Sequence, residues 1–165
     1  YENHPVTHVE WQQARLFCLF AMGRLPSESE WEFAARSRGL DILYPWGNDL
    51  PTEELVVTYP QTEYPIPVCS RPDGNTAQEL CDMSGNVQEY VQDTWHNTYD
   101  CDQGPGCDNG DTGAHPDDGS AWETAAIGKV VRGDPIDENA DWDLTNRIRY
   151  AFGLSYSITG FRCAR

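Results

Sequence analysis

Apolar positions in the first 40 residues recur with the period of an α-helix. In VEWQQARLFCLFAMG, residues 9–23, apolar side chains occupy the i, i+3, i+4 and i+7 positions, and three more widen that face. They are Ala14, Phe17, Cys18 and Ala21, widened by Leu16, Leu19 and Phe20. Gly23 marks the helix end. The pattern predicts an amphipathic helix with a broad buried face.

A second helix is predicted in RLPSESEWEFAARSRG, residues 24–39. Ser27 precedes Glu30 by three positions, which is the capping-box pattern of a helix N-terminus. Trp31 and Ala35 follow at helical spacing, and we expect the helix to stop near the closing glycine.

The rest of the chain predicts short strands and much irregular loop. Six prolines interrupt residues 41–72 and forbid a long helix there. Residues 129–133 and 159–165 contain short apolar runs typical of strands, whereas residues 143–158 between them show no clear period. Residues 100–120, rich in Asp and Gly, predict a long surface loop.

Length and charge narrow the class of protein. The 165 residues fit one domain, residues 1–165, with enough apolar material for a core. Against 27 Asp and Glu there are only 11 Lys and Arg, a formal charge of -16, and such a surface repels nucleic acid and anionic membranes. It suits hard cations such as calcium, although acidity also serves solubility alone.

Six cysteines indicate an oxidising compartment. Their number is even, and neither a CxxC pair nor a zinc-type Cys/His spacing occurs. Disulfides fit best, so we expect a secreted, cell-surface or periplasmic protein. No apolar run is long enough to cross a membrane. The chain begins at Tyr1 rather than Met, which is typical of a leader or longer N-terminal part having been removed.

Four ordered blocks carry a family resemblance. They are GRLPSESEWEFAAR at 23–36, YPWGND at 44–49, CDMSGNVQEYVQD at 81–93, and VVRG at 130–133 with GFRCAR at 160–165. In this order they resemble the formylglycine-generating enzyme, or sulfatase-modifying factor, family, without its N-terminal portion. The resemblance implies an α+β, C-type-lectin-like fold with two helices, small antiparallel sheets and much irregular loop.

The same resemblance implies a calcium site in the turn at 81–89. Carried over position by position, side-chain oxygens come from Asp82 and Glu89, and carbonyl oxygens come from Gly85 and Val87. Calcium takes six to eight oxygens in flexible geometry, which such a turn can help to supply. The alternative is that Asp82 caps the turn and Glu89 is solvated.

The family also supports a disulfide between Cys18 and Cys163, which ties the first helix to the C-terminal strand. Local spacing suggests Cys69 with Cys81, and Cys101 with Cys107 follows by elimination. The connectivity remains a prediction.

The catalytic chemistry of the family is not supported. Its members oxidise a substrate cysteine with two cysteines that bind copper(I), and a gap-free alignment places Glu138 and Asp143 at those positions. Carboxylates are hard ligands without thiol chemistry, so we expect no copper and no catalytic residues. An oxidoreductase whose thiols lie elsewhere in the chain stays open as an alternative.

A ligand-binding surface is predicted near the C-terminus. Aromatic residues and one arginine stand between the two C-terminal motifs: Trp142, Arg147, Tyr150, Phe152 and Tyr156. Such residues are typical of binding surfaces, although they could equally pack the core. We therefore expect a non-catalytic extracellular module that binds a protein or glycan. A variable receptor of a diversity-generating retroelement, which has a similar fold, is a special case of this hypothesis.

Overall fold

The computed structural model describes residues 2–57, 64–97, 99, 116–123, 128–133 and 143–165. Its elements are two helices, a short 3-10 turn and four strands: α1 (Trp11–Phe20), α2 (Glu28–Ala35), the turn Pro72–Gly74, β1 (Gln88–Thr94), β2 (Lys129–Arg132), β3 (Arg147–Tyr150) and β4 (Thr159–Phe161). Most of the predicted surface loop, including Cys101 and Cys107, lies outside the described residues.

The strands form one mixed sheet in the order β3-β2-β1-β4. β1 pairs antiparallel with β2, which pairs antiparallel with β3. β4 pairs parallel with β1, with Glu89 opposite Gly160. The α+β class and the two helices are confirmed, and the predicted small antiparallel sheets are one small mixed sheet with a single parallel pair. The chain crosses from the β3 edge to the opposite edge, and β4 therefore enters beside β1 in the parallel sense.

The two helices lie on opposite faces of this sheet. Adjacent strand residues point to opposite faces, and Val130 packs in the cluster that contains Trp31 and Ala35 of α2. Val131 packs in the cluster that contains Ala14 and Cys18 of α1. The sheet is therefore the middle layer between two helices.

α1 buries a narrower face than its sequence predicts. Ala14 and Cys18 are fully buried, whereas Leu16 is 62% exposed and Phe20 is 86% exposed. The small side chains let the helix approach the sheet closely, and the larger apolar residues remain on its outer side. The prediction of a broad buried face is therefore corrected: the fully buried residues of α1 are the small ones, Ala14 and Cys18.

The predicted N-terminus of α2 is confirmed. The Ser27 side chain accepts from the Glu30 backbone N–H, and the Glu30 side chain accepts from the Ser27 backbone N–H. This reciprocal pair satisfies two backbone donors that the helix leaves unpaired. The helix ends at Ala35, short of the predicted stop near Gly39.

Two of the three predicted disulfides lie within the described residues, and both are present. Cys18 of α1 is bonded to Cys163 just beyond β4, and Cys69 is bonded to Cys81. These bonds fit an oxidising compartment. Among the described residues no helix is long and apolar enough to cross a membrane.

Lys129, the only lysine of the chain, is buried at the start of β2. Its side chain is covered by Trp11, with Nζ 3.6 Å from the ring centroid, and Nζ donates to the Gln92 carbonyl at 2.7 Å. Burial lowers the pKa of Lys129 from 10.5 to about 8. The charged amine therefore costs stability at neutral pH.

We predict that Lys129→Met raises the free energy of unfolding at pH 7 by about 1 to 3 kcal/mol, because it removes a buried charge. Between the folded pKa of about 8 and the ordinary value of 10.5, the unfolded chain binds a proton that the folded chain has released. Stability due to this group therefore rises with pH in that window.

Urea unfolding at pH 7 and at about pH 9.5 tests this prediction. The advantage of the Met variant over the parent should shrink at the higher pH, since the parent amine is then neutral. The tyrosines are common to both proteins and cancel in the comparison. An advantage that is absent at pH 7, or that grows with pH, would contradict the assignment.

Candidate functional site

The turn at residues 81–89 packs tightly against the segment that contains Val56 and Val57. Gly85 has a positive φ of 80°, and a Cβ on it would lie 2.4 Å from Cγ2 of Val56. Only glycine fits this position without strain. The Asn86 backbone N–H donates to the Val57 carbonyl at 3.3 Å. The turn is therefore a fixed scaffold for the side chains on either side of it.

The Arg162 guanidinium binds this turn as an internal cation. Its Nε donates to Oε2 of Glu89 and its Nη2 to Oε1, both at 2.6 Å. Nη2 also donates to the Cys81 carbonyl at 3.0 Å. The Trp31 indole N–H donates to Oε2 of the same carboxylate at 2.8 Å. Glu89 is only 5% exposed, so the alternative of a solvated Glu89 is wrong.

Burial disfavours the charge on Arg162, but the Glu89 carboxylate outweighs it and raises the pKa of Arg162 above its ordinary value. The pair is bidentate, which is the strong geometry for an arginine and a carboxylate. This partner of Glu89 was not predicted from the sequence, although Arg162 stands inside the GFRCAR motif.

Three of the four predicted calcium ligands, Asp82, Val87 and Glu89, line one pocket of the structure. Gly133 is surrounded by the carbonyl oxygens of Met83 and Val87 and by Cζ2 of Trp31. A Cβ on this glycine would lie 3.6 Å from the Met83 oxygen and 3.7 Å from the Val87 oxygen. Glu89 accepts from Nε1 of the same indole edge. The carbonyl of Val87 and the carboxylate of Glu89 thus lie along one side of Trp31, where Met83 adds a further oxygen.

The Asp82 carboxylate has hydrogen-bond partners of its own, at Cys69 and Asn86. Its Oδ2 accepts from the Cys69 backbone N–H at 2.8 Å and from Nδ2 of Asn86 at 3.5 Å. Burial raises the pKa of Asp82 above its ordinary value. The capping role that was the alternative for Asp82 fits these contacts, which join the turn to the Cys69–Cys81 disulfide.

The ligand atoms at this turn are of the type that calcium binds, but the net charge of the turn limits how tightly calcium is held. Carboxylate and carbonyl oxygens are the ligands that this ion takes. However, the charge of Glu89 is already balanced by Arg162, so an ion beside Trp31 would gain little net charge from the site. These residues suit a weakly held hard cation.

A second buried charge cluster contains one of the predicted ligand-binding residues. Glu28 accepts from Arg132 at 2.8 Å and from both Nε and Nη2 of Arg147 at 2.8 Å. The Arg147 guanidinium also lies 4.7 Å from the ring centroid of Trp95 and 4.3 Å from that of Tyr99. Arg147 is therefore held inside the fold, which is a correction to its assignment as a ligand contact.

The other predicted ligand residues do not form one surface. Tyr150 and Tyr156 stack with ring centroids 3.8 Å apart, and the Tyr150 hydroxyl donates to Gln88. Phe152 is 50% exposed on the loop after β3. Trp142 lies outside the described residues. The packing alternative holds for Tyr150, whereas half of Phe152 remains exposed.

Asp143, one of the two positions aligned with the family's reactive cysteines, has a local structural role. Its Oδ1 accepts from the Thr145 backbone N–H at 2.7 Å and from the Thr145 hydroxyl. Glu138 lies outside the described residues. Asp143 thus stabilises the turn before β3.

Comparison with known proteins agrees with this geometry. The family described as sulfatase-modifying factor enzyme 1-like domain matches residues 1–165. The chain belongs to this family.

Formylglycine-generating enzymes are among its relatives. That of Thermomonospora curvata is 33% identical over 181 residues, covering 98% of this chain and 55% of the relative. That of Mus musculus is 35% identical over 106 residues, covering 56% of this chain and 28% of the relative. The inactive C-alpha-formylglycine-generating enzyme 2 of Bos taurus is 54% identical over 44 residues, covering 27% and 15%. The chain thus spans about half or less of these relatives.

Solved structures of the family's fold are also similar. PvdO from Pseudomonas aeruginosa superposes with a TM-score of 0.77 at 25% identity, over 96% of this chain and 60% of its own. Treponema denticola variable protein 1 superposes with a TM-score of 0.72 at 20% identity, over 96% of this chain and 70% of its own. The formylglycine-generating-enzyme-like fold is therefore shown.

We predict that Arg162→Gln lowers the free energy of unfolding by about 3 to 5 kcal/mol, because it leaves the Glu89 carboxylate buried without its partner. The matched control is Arg24→Gln. Arg24 makes a similar two-pronged contact with Glu30, but their side chains are 49% and 40% exposed. The control should therefore lose no more than about 1 kcal/mol.

Denaturant unfolding of both variants beside the parent measures the two losses. Equal losses in the free energy of unfolding for Arg162→Gln and Arg24→Gln would show that burial does not make the Glu89 pair more stabilising than an exposed pair.

Proposed function

We propose that this domain is a non-catalytic ligand-binding module that acts outside the cytosol. One observation carries the proposal: the segment aligned with the family's two reactive cysteines contains Glu138 and Asp143. Asp143 is engaged with Thr145 as a turn cap. A scaffold that keeps its fold without that thiol pair is free to bind rather than to oxidise.

The remaining cysteines narrow the catalytic alternative. Four of the six are paired in the two disulfides, which leaves Cys101 and Cys107 as the candidates for a reactive pair. Within this chain, these two are the cysteines left for an oxidoreductase that converts a substrate cysteine to formylglycine. This second candidate function deserves a test because the relatives include formylglycine-generating enzymes. The relative in Bos taurus that is named inactive shows that the family is not uniformly catalytic.

A protein or glycan partner has an exposed apolar surface to engage on the loop between β3 and β4. Phe152 is 50% exposed and Leu154 is 51% exposed. Aromatic residues at such positions contribute large contact area to interfaces. If this loop varies between copies of the gene, the module is a variable receptor, which sequencing of related loci would reveal.

The catalytic test uses copper and a cysteine-containing peptide. We expect the protein to form no aldehyde on the peptide after it is reduced mildly and loaded with copper(I), because the thiolate pair is missing at the aligned positions. Aldehyde is measured by hydrazine capture and mass spectrometry. Copper-dependent aldehyde formation that disappears in Cys107→Ser would establish the oxidoreductase instead.

We also propose calcium as a stabilising ion, held by the oxygens beside Trp31 rather than by all four predicted ligands. The carbonyls of Met83 and Val87 and the carboxylate of Glu89 support this placement. The ion would tie the turn to β1, where it would serve structure and not chemistry.

Calcium should raise the melting temperature relative to chelator. Binding at about 100 times the dissociation constant stabilises by about 2.7 kcal/mol, and each kcal/mol raises the melting temperature by about 2–4 °C in a domain of this size. Asp82→Asn should keep this shift, because Asp82 lies at Cys69, whereas Glu89→Gln should lose it. Identical melting curves in calcium and chelator would remove the proposal, and magnesium serves as the control ion.

A further inference from the structure

A large apolar pocket opens on the side of the turn where Asp82 lies. It has a volume of about 600 Å³, the size of pockets that hold small organic ligands. Its walls come from the N-terminal segment, α1, β4 and the Cys69–Cys81 disulfide. The apolar side chains, apart from the cysteines, are Pro5, Val6, Val9, Phe17, Val68, Val87 and Phe161.

One uncompensated charge stands at the polar end of this pocket. The charged lining residues are Asp82, Glu89 and Arg162, and the last two neutralise each other in the buried pair. Asp82 is left with a net negative charge. Both of its hydrogen bonds end on Oδ2, and among the described residues no hydrogen bond reaches Oδ1.

The two phenyl rings of the walls favour a cation with an apolar body. Phe17 and Phe161 meet edge to face with centroids 5.5 Å apart. Aromatic rings attract both apolar groups and organic cations. Oxygens of the kind that calcium takes are also present along this pocket, at Asp82, Val87 and Glu89, so calcium is the competing occupant.

We propose that this pocket binds a small organic cation, whose ammonium group pairs with Oδ1 of Asp82 while its apolar body packs between Phe17, Phe161 and Val68. The site deepens the proposed binding function and rests on it. The charge of -16 on the chain attracts cations and repels anions of the same shape. Asp82 thus serves the pocket and not the calcium site that its sequence position suggests.

Calorimetric titration with 2-phenylethylammonium tests the proposal. Two probes of similar size separate charge from shape: neutral 3-phenylpropan-1-ol and anionic 3-phenylpropionate. Each titration is run in chelator and again in about 2 mM calcium, a concentration that fills extracellular calcium sites. We expect the ammonium to bind at least about tenfold more tightly than the alcohol, from a charge-assisted hydrogen bond, and the carboxylate not to bind.

Three variants locate the site. Asp82→Asn keeps an acceptor for the Cys69 N–H but removes the charge, so it should lose the tenfold preference. Asp41→Asn is the matched control at an exposed carboxylate outside the pocket, and it should bind like the parent. Val68→Trp fills the pocket from a wall residue that is 45% exposed, so it should lose both the ammonium and the alcohol. Circular dichroism confirms that each variant is folded.

The proposal is overturned if the parent binds no probe, if ammonium and alcohol bind equally, or if Asp82→Asn retains the preference. Displacement of the ammonium by calcium would also overturn it, because Asp82 would then belong to the metal site. The copper assay tests whether the domain is catalytic, and the titrations test this pocket alone. Failure of one proposal is therefore distinguishable from failure of the other.

Discussion

The Glu89 carboxylate lies between the Arg162 guanidinium and the Trp31 indole N–H, and this buried contact joins β1, the end of β4 and α2. These three segments are far apart in the chain, and much of what connects them is loop. A buried ion pair holds such segments only if every donor and acceptor is satisfied. The bidentate geometry and the additional bond from Arg162 to the Cys81 carbonyl meet that condition.

The Glu28 cluster repeats this arrangement on the α2 side of the sheet. Arg132 and Arg147 share one carboxylate, with Glu32 as a second partner for Arg132. Although burial opposes the charge on Glu28, the hydrogen bond from Arg147 and the nearby guanidinium groups hold its pKa below the ordinary value. Three of the 11 basic residues, Arg132, Arg147 and Arg162, are therefore paired with buried carboxylates inside the fold.

Local signals in the sequence were enough for α2, because the Ser27–Glu30 capping box acts between near neighbours. The same local signals did not predict that the outer face of α1 is exposed. Apolar periodicity does not reveal whether another segment covers a residue such as Phe20. β3 was missed because RIRY is half-buried or exposed and carries two arginines. The partner of Glu89 stands 73 residues away in sequence, and no spacing rule connects two such positions. The fold was recognisable from motifs, whereas the charge pairing at the site required the structure.

The concealment of Lys129 has a consequence for chemical labelling. The chain has no other ε-amine, and this one is covered by the Trp11 ring of α1. Because its pKa is about 8, a good part of it is an uncharged nucleophile at mildly alkaline pH, yet a reagent reaches it only when α1 lifts from the sheet. The acylation rate of Lys129 therefore reports how often α1 opens from the sheet. Mass spectrometry measures this rate without an introduced label.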